Sequence, residues 1–449
     1  MTAKTGLIFF PAFDWAISPT HPEREERLLY TRDQLFEEGI MDLSEIEEFA
    51  PRLASYKDVA RTHFCVPYVA DQVLEAHLIA SGAGILLAEK VLQKELKNAF
   101  ALVRPPGHHS MRVVHGNRGF CNINNEAIVV DYLRHHYGIR KIAIVDTDVH
   151  HGDGTQEIFY HDPDVLCISF HQDGRTIYPG TGFINELGGP TAFARTLNVP
   201  LPVGTTDEEL HYVLDEFILP VLKDFNPEFV INSAGQDNHY TDPLGSICMT
   251  AQGYALLNEK LKPDLAVLEG GYAIETALPY VNMAIILAMA GQDYSYVREP
   301  QPPQLQHSKQ RTEEIKQTVA KLKEIWQNRD KIDLNKIFGK DQYYQRKKSV
   351  YYDTDGFSEN QTERIKRCQH CPGYLTVESK AARGSRNNIK AFCISVPITA
   401  CQGCQEEAYN LYREERDKCQ QDYVYMQDKV KDVFLTYNTK TKQEAILED

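Results

Sequence analysis

From the N-terminus to about Gln292, short apolar segments alternate with longer segments of helical pattern. Several of the short segments are rich in valine and isoleucine and lack polar alternation, which is typical of strands covered on both faces. The candidate strands are Gly6–Phe10, Phe100–Val103, Lys141–Val145, Val165–Phe170, Phe229–Asn232 and Leu265–Leu268, and the helical patterns between them include Asp71–Leu96, Glu208–Lys223 and Thr250–Lys262. Strands that alternate with helices predict an α/β domain with a central, mostly parallel sheet.

The rest of the chain has a different composition. A chain of 449 residues is too long for one average domain, and the Pro- and Gln-rich segment VREPQPPQLQHSKQ, which starts at Val297, resembles a linker. A charged helical stretch follows over Arg311–Asn328, with four apolar residues on one side, namely Ile315, Val319, Leu322 and Ile325. We predict a large domain over 1–296, a linker and charged helical segment over 297–366, and a cysteine-containing segment with a helical tail over 367–449.

The chain is acidic, with a formal net charge of -15. This charge argues against direct nucleic-acid binding and suits a basic partner, such as a lysine-rich protein or a polyamine. The alternative is that the charge serves only to keep the protein soluble. No apolar run is long enough to cross a membrane, and Pro11 and Asp14 interrupt the N-terminal apolar patch, which resembles a first strand rather than a signal peptide. We therefore expect no membrane association, a cytoplasmic location and reduced cysteines.

Four polar motifs directly follow predicted strands. They are RPPGHHS, DTDVHHGDG, SAGQDNH and EGGY, which come after the strands that end near Val103, Val145, Asn232 and Leu268. In an open α/β sheet, ligands bind just beyond the carboxyl ends of the strands. The four motifs are therefore expected to converge on one pocket.

The motif DTDVHHGDG concentrates side chains that bind divalent metals. One residue separates Asp148 from His150, so both point the same way on an extended segment. Asp237 is the best-placed third ligand, and a catalytic site keeps the fourth position open for water. Zinc and ferrous iron both fit this set, and the alternative without a metal is a polar loop with a capping aspartate.

A pair of adjacent histidines supplies candidate acid–base groups. Two carboxylates largely cancel the charge of a zinc ion, so such a site acidifies water weakly and needs a separate general base. His108 and His109 are the candidates, and Asp146 and Asp153 are spare carboxylates that would orient the two imidazoles. The alternative is an ordinary surface His-His pair, which the rigid Pro-Pro-Gly turn before it disfavours.

Three aromatic residues have candidate roles around this pocket. Tyr272, which follows two glycines in EGGY, would donate a hydrogen bond to the oxyanion that forms when water attacks an amide. Phe120 and Tyr178 lie in Gly- and Pro-rich loops and would form a narrow slot for a thin aliphatic chain such as a lysine side chain. The alternative is that they are loop anchors.

The C-terminal segment holds six of the ten cysteines. Four of them form two C-x-x-C pairs, namely Cys368 with Cys371 and Cys401 with Cys404, with strand-like residues between the pairs. This pattern is typical of a four-cysteine structural zinc site of the zinc-ribbon type. Cys393 is an alternative ligand, Cys419 is extra, and a redox pair is the competing interpretation of each C-x-x-C.

Together these motifs resemble those of the histone deacetylase superfamily, which includes acetoin-utilisation proteins and acetylpolyamine amidohydrolases. The matching segments, in the family's order, are HPEREER, RPPGHHS, GFCNINN, DTDVHHGDGTQEIF, YPGTG, AGQDNHYTDPLG and LEGGY. RPPGHH and LEGGY are more similar to class II than to class I. The resemblance implies a three-layer arginase/deacetylase fold for the deacetylase catalytic domain, 1–296, and does not clearly extend to the zinc-ribbon-like segment.

The resemblance also implies roles, position by position. The implied ligands of the catalytic zinc are Asp148, His150 and Asp237, and the implied catalytic residues are His108, His109, Asp146, Asp153 and Tyr272. The implied substrate tunnel is lined by Phe120 and Tyr178. A potassium ion is implied where the chain has Asp146, Asp148, His150, Ser169 and Phe170. Arg27 matches an arginine beneath the active site.

The sequence departs from the family's pattern near the pocket mouth. The loop between His109 and Phe120 is longer than usual and contains His115 and Arg118, and the segment NHYT after Asp237 is more polar. Leu244, which we add to the tunnel, stands where polyamine-selective members tend to carry a glutamate. These departures concern substrate choice rather than chemistry.

The implied reaction is hydrolysis of an N-acyl amide, foremost deacetylation of acetyl-lysine in a protein substrate. A metal-bound water is the implied nucleophile, with the histidine pair as acid and base and Tyr272 polarising the carbonyl. The alternatives are an amidohydrolase for an acetylated polyamine or metabolite, an inactive protein that binds acylated ligands, and a protein whose functional centre is the C-terminal cysteine segment. That segment is expected to bind a protein partner, dock the substrate or mediate assembly.

Overall fold

The N-terminal part of the protein is built on an eight-stranded sheet. The computed structural model describes residues 4–18, 20–300, 307–384 and 387–448. The strand order is β2-β1-β4-β10-β9-β6-β7-β8 and every pairing is parallel, so the predicted mostly parallel sheet is confirmed. These strands are β1 Lys4–Phe10, β2 Ile46–Glu48, β4 Leu96–Val103, β6 Ile142–Asp146, β7 Val165–Gln172, β8 Thr196–Leu201, β9 Phe229–Ala234 and β10 Leu265–Leu268; β3 Phe64–Cys65 and β5 Val113–Val114 pair separately.

Helices cover both faces of this sheet. The helices are α1 Leu29–Glu37, α2 Tyr56–Thr62, α3 Val69–Gln72, α4 Glu75–Leu92, α5 Asn125–Tyr137, α6 Asp153–Phe159, α7 Asp207–Val213, α8 Leu219–Phe225, α9 Ala251–Leu261, α10 Leu278–Ala290, α11 Lys309–Asn328 and α12 Leu334–Phe338. Short 3-10 turns occur at Glu25–Leu28, Ile40–Asp42 and Arg329–Lys331, and a π-turn at Leu214–Ile218 joins α7 to α8. Among the described residues, none of these helices combines the length and apolar character needed to cross a membrane.

Successive residues of each central strand point into two separate apolar cores. In β4, Phe100 and Leu102 join the core on one face, whereas Ala101 and Val103 join the core on the other. A strand whose two faces are both covered has no polar face, which explains the continuous apolar runs in the sequence. The result is the predicted three-layer arrangement.

Two helical predictions differ from the structure in detail. The predicted helix Asp71–Leu96 is divided into α3 and α4, because the His77 imidazole accepts a hydrogen bond from the backbone N–H of Leu74 (3.1 Å) and caps a new helix there. On α11, Trp326 is buried in place of the predicted Ile325, and its Nε1–H donates to Asp224 (2.9 Å). Residues 301–306 of the predicted linker lie outside the described residues.

The C-terminal part forms a second, seven-stranded sheet with sequential strand order. Its elements are β11 Tyr343–Tyr352, β12 Phe357–Lys366, β13 Leu375–Arg383, β14 Asn387–Val396, α13 Gln402–Lys418, β15 Tyr423–Asp428, β16 Val433–Asn438 and β17 Gln443–Ile446. All pairings are antiparallel except that of β14 with β15, which α13 connects. The predicted helical tail is therefore wrong beyond α13, because segments such as YVYMQD and VFLTYN form strands. The predicted domain bounds themselves stay a prediction.

This C-terminal sheet lies between a helix and the N-terminal part. On one face, Ile394 and Val424 pack with Ala408 and Tyr412 of α13. On the other face, strand residues pack against β3 and β5 of the N-terminal part in one apolar cluster, which comprises Phe64, Val66, Val113, Ile365, Leu375, Val377, Ala391, Cys393 and Tyr425. The second sheet is thus packed against the first domain through a continuous apolar contact.

Candidate active site

A cluster of three metal-binding side chains lies at the carboxyl ends of β6 and β9. Asp148 and His150 follow β6, and Asp237 follows β9. Their ligand atoms lie within 4.8 Å of one another. The Nδ1 atom of His150 is 3.2 Å from Oδ1 of Asp148 and 3.1 Å from Oδ2 of Asp237. The three residues predicted as ligands are therefore brought together.

The remaining carboxylate oxygens of this cluster are held by the backbone. Oδ2 of Asp148 accepts a hydrogen bond from the N–H of Gly270 (2.8 Å), and Oδ1 of Asp237 accepts one from the N–H of Val149 (2.9 Å). A Cβ at Gly270 would collide with both carboxylates, which explains the glycine. Burial and the charge of Asp148 raise the pKa of Asp237. Two fully buried carboxylates beside one imidazole are a donor set that suits a divalent cation.

Each of the two adjacent histidines is hydrogen-bonded to its own carboxylate. His108 Nδ1 lies 3.0 Å from Oδ2 of Asp146, and His109 Nδ1 lies 2.9 Å from Oδ1 of Asp153. The centroids of the two imidazoles are 4.1 Å apart. Each carboxylate fixes the orientation of its imidazole and leaves Nε2 available for chemistry.

The two histidines differ in their electrostatics. Burial alone would lower the pKa of His108, but the charges of Asp148 and Asp146 outweigh it, so that pKa is raised. Burial and the neighbouring charge of His108 lower the pKa of His109 to about 3, and the hydrogen bond to Asp153 only partly offsets them. One member of the pair therefore favours the charged form and the other favours the neutral form.

A buried arginine, which was noted in the sequence only as part of a long loop, completes the second pair. Arg118 donates two hydrogen bonds to Asp153, from Nη1 to Oδ1 (2.7 Å) and from Nη2 to Oδ2 (2.6 Å). Burial raises the pKa of Asp153, but Arg118 and His109 outweigh that effect and lower it. Arg118 thus keeps the Asp153 carboxylate ionised beneath His109.

Two further carboxylates, for which the sequence suggested no role, position the site's loops. Oε2 of Glu269 accepts hydrogen bonds from the N–H groups of Gly107 (2.7 Å) and His108 (3.0 Å). Oδ2 of Asp242 accepts one from the N–H of Tyr272 (2.6 Å). Both carboxylates belong to segments that the sequence had singled out, LEGGY and DPLG, and that was the available signal.

An open pocket leads to this cluster. It is lined by Pro106, His108, His109, Gly119, Phe120, His150, Ile177, Tyr178, Leu244, Tyr272 and Asp353. The Phe120 and Tyr272 rings meet edge to face at 5.5 Å, and the Tyr178 ring lies 5.1 Å from the His109 ring. All three predicted tunnel residues therefore line the pocket, and Asp353 was not predicted.

Arg27 lies beneath the tyrosine, as expected. Its Nε–H donates to the carbonyl of Gly271 (2.9 Å), and its guanidinium carbon lies 4.9 Å from the Tyr272 ring centroid. Burial raises the pKa of Tyr272 well above its usual value, and the positive charge of Arg27 counteracts this only in part. The phenol is therefore held in its neutral, hydrogen-bond-donating form.

The residues predicted to bind potassium lie on neighbouring strands. Asp146 of β6 is paired in register with Ser169 of β7, next to Phe170. Oδ1 of Asp146 accepts a hydrogen bond from the N–H of Asp148 (3.1 Å). The assignment of potassium to this place stays a prediction.

The four predicted cysteine ligands meet in a second cluster. Their sulfur atoms lie within 4.8 Å of one another, and the group comprises Cys368, Cys371, Cys401 and Cys404. The Sγ atoms of Cys368 and Cys401 are 3.9 Å apart, which is too far for a disulfide. Cys393 packs in the apolar cluster at the domain contact, and Cys419 is exposed after α13, so neither belongs to the group. Four thiols in this arrangement suit zinc.

Comparison with known proteins shows that the sequence is similar to deacetylases. The Histone deacetylase domain profile matches residues 42–289. A "Probable deacetylase" of Archaeoglobus fulgidus is 46% identical over 326 residues, which cover 66% of this chain and 89% of that protein. "Histone deacetylase 14, chloroplastic" of Arabidopsis thaliana is 38% identical over 223 residues, which cover 46% of this chain and 52% of that protein.

A solved structure shows a similar fold. The crystal structure of the HDA15 HD domain aligns with this protein with a TM-score of 0.61 and 28% sequence identity. The alignment covers 73% of this chain and 95% of the HDA15 chain. The family profile spans more than half of the sequence, and the archaeal relative is matched over most of its length. This chain therefore belongs to the histone deacetylase family.

Proposed function

We propose that this protein is a zinc-dependent deacetylase that hydrolyses an N-acyl amide, foremost the acetyl-lysine of a protein substrate. The observation that carries the proposal is the convergence of three elements on one pocket. These are the Asp148–His150–Asp237 cluster, two histidine–carboxylate pairs and Tyr272. Membership of the histone deacetylase family supports hydrolytic deacetylation.

The proposed zinc ligands are Asp148, His150 and Asp237. When bound there, zinc would supply Lewis-acid polarisation of the acyl carbonyl and would acidify water. Tyr272 is proposed to donate its phenolic hydrogen to the same carbonyl oxygen as negative charge develops on it. Its raised pKa keeps that hydrogen in place, and Asp242 fixes its backbone.

The histidine pair is proposed to move the protons. His109, oriented by Asp153, accepts a proton from the attacking water and returns it to the leaving amine nitrogen. His108, oriented by Asp146, is proposed to stabilise the developing negative charge. Hydrolysis cleaves the amide C–N bond and yields a free amine and a carboxylate, acetate for an acetyl substrate.

The pocket walls favour an acylated aliphatic chain. Phe120, Tyr178 and Leu244 present apolar surface around the entrance. Leu244 offers no charge to a polyamine, which supports acetyl-lysine over an acetylated polyamine. The complete set of ligands, histidines and tyrosine argues against an inactive acyl-binding protein.

The cysteine cluster is proposed to hold a second, structural zinc ion. The cluster joins the β12–β13 loop to the start of α13 and lies beside apolar side chains such as Tyr374 and Ala400. A closed set of four sulfur ligands leaves no position for a substrate. A potassium ion near Asp146 and Ser169 is proposed on the family resemblance.

Metal-dependent release of acetate from an acetyl-lysine peptide tests the main proposal. Asp237→Asn and Tyr272→Phe are each expected to lower kcat/KM by at least about a hundredfold, because the first weakens the proposed zinc site and the second removes the hydrogen bond to the reacting carbonyl. Turnover of an acetylated diamine instead of the peptide would favour the small-molecule alternative. A wild-type protein that binds no metal at this cluster would refute the proposal.

A further inference from the structure

The C-terminal sheet reaches the mouth of the catalytic pocket through the turn between β11 and β12. In this turn, Oδ1 of Asp353 accepts hydrogen bonds from the N–H of Gly119 (2.9 Å) and from the Tyr178 hydroxyl (3.3 Å). Oδ2 of Asp355 accepts one from the N–H of Asn117 (2.6 Å). The turn thus contacts the loop that carries Phe120 and lies beside both walls of the slot.

Asp353 differs from every other carboxylate around this pocket in its exposure. It lines the pocket, yet its side chain is exposed to solvent, whereas Asp146, Asp148 and Asp237 are buried. Among the described residues, both of its hydrogen bonds are made by Oδ1, so Oδ2 retains its accepting capacity. A substrate outside the slot therefore meets an exposed carboxylate.

Among the described residues, no lysine or arginine is paired with Asp353, and the nearby His21 imidazole favours its neutral form because burial lowers its pKa. The guanidinium of Arg118, which lies 5.5 Å from the Tyr178 ring centroid, is already paired with Asp153. Asp355 adds a second acidic side chain in the same turn. A mouth with excess negative charge attracts a positively charged group on the substrate.

We propose that Asp353 is a specificity-determining residue, which selects acylated substrates that carry a cationic group just outside the slot. This inference rests on the proposed deacylase function. The cation comes either from a basic residue beside acetyl-lysine in a peptide or from the free ammonium of a mono-acetylated diamine. Leu244 contributes no such recognition, so Asp353 supplies the carboxylate from a different part of the chain.

Two substitutions separate recognition from positioning. In Asp353→Asn, the amide oxygen still accepts from Gly119 and Tyr178, and only the charge is lost. In Asp353→Ala, the loop and the tyrosine lose their partner as well. Asp355→Asn removes the same charge from the same turn at a residue that does not line the pocket, and it serves as the matched control.

The test measures kcat and KM of the full-length protein for two matched substrate pairs. One pair is an acetyl-lysine peptide flanked by arginine and the same peptide flanked by glutamate. The other is N-acetylputrescine and N-butylacetamide, which lacks the ammonium. The wild type is expected to prefer each cationic substrate about tenfold in kcat/KM, mainly through KM, because a charge-assisted hydrogen bond is lost in the other substrate.

Asp353→Asn is expected to reduce the preference to about twofold with kcat little changed, whereas Asp355→Asn keeps most of it. Asp353→Ala is expected to lower kcat/KM for all four substrates. The pair in which the preference collapses identifies the source of the cation. Turnover with an unchanged preference in Asp353→Asn would overturn the inference alone, whereas absence of wild-type turnover on every substrate would overturn the proposed function together with it.

Discussion

The two candidate metal clusters differ in donor chemistry and in their surroundings. Asp148 and Asp237 offer oxygen donors that are fully buried, and titratable histidines and an open pocket lie beside them. Cys368 and Cys401 offer sulfur donors that are half-buried, and apolar side chains surround them. The comparison teaches that an open ligand position and titratable neighbours suit a site to chemistry, whereas four ligands among apolar neighbours suit a site to holding a fold together.

The largest effect that would sharpen this comparison is expected at the cysteine cluster. Cys401→Ser should lower the free energy of unfolding by several kcal/mol, part of the roughly 10–16 kcal/mol with which zinc binds four-ligand peptides. Chemical denaturation in the presence and absence of a chelator measures this loss. Cys419→Ser, at an exposed cysteine outside the cluster, is the control and should change little. Equal stability of the two variants would contradict a structural role.

A smaller effect is expected at Arg118, the buried arginine that is paired with Asp153 beside the two histidines. Arg118→Met leaves Asp153 buried without its bidentate partner, so kcat/KM should fall by about 10–100-fold. Arg118 holds the pKa of Asp153 low, so removal of the arginine should raise that pKa. The acidic limb of the pH–rate profile should then move to higher pH.

Arg134→Met provides the matched control for that measurement. Arg134 is also buried and is paired with Asp162, away from the pocket. Its replacement should lower stability without moving the pH–rate profile. A pH–rate profile that stays in place in Arg118→Met would show that Asp153 does not depend on the arginine.

A third effect concerns the acid sensitivity of the N-terminal α/β part of the protein. Buried His63 donates from Nδ1 to the carbonyl of Met111 (2.8 Å) and accepts at Nε2 from the N–H of Asn124 (2.9 Å), and burial lowers its pKa to about 3. The folded state therefore keeps His63 neutral where the unfolded chain takes up a proton. Its contribution to stability is complete above pH 6.5 and falls by about 1.4 kcal/mol per pH unit below it, until the pH approaches 3.

Unfolding free energies between pH 7 and pH 4.5 test this expectation. His63→Asn should be less stable than wild type at neutral pH. Its free energy of unfolding should decline less steeply as the pH falls, and the two slopes should differ by the uptake of about one proton, which corresponds to about 1.4 kcal/mol per pH unit. His307→Asn, at a histidine with an 84% exposed side chain, should leave the slope unchanged. A slope in His63→Asn identical to that of wild type would assign the acid sensitivity to other groups.

Local sequence was sufficient for the predicted sheet and for the convergence of its motifs. The central strands are continuous apolar runs because two cores cover them. Asp148 and His150 lie on one short segment, and the carboxyl ends of parallel strands bring Asp237 to the same edge. These relationships need only the strand assignments and the rule for open parallel sheets.

The contacts of the C-terminal sheet could not be predicted in the same way. The sequence of β11, YYQRKKSVYY, has five consecutive polar or charged residues in its middle, and only Val350 and Tyr352 of that strand are buried, so no apolar run marks it as a strand. His115, noted in the sequence as part of a long loop, is explained by its contact with Ser379 of β13 (2.9 Å). Asp353 likewise meets the pocket from 234 positions beyond Gly119. Such pairings depend on tertiary geometry that no local pattern encodes.

The docking of the C-terminal sheet also bears on how the protein is made. The Nε–H of Arg61 donates a hydrogen bond to Oδ1 of Asp432 (2.7 Å), which lies 371 positions later in the chain. The ribosome therefore releases Phe64 and Val113 long before the strands that cover them, and the nascent α/β domain presents a bare apolar face in the meantime. A chain truncated at Val297 would keep this apolar face exposed permanently. The mouth of the pocket, to which Asp353 contributes, is therefore complete only after β11 and β12 have been translated.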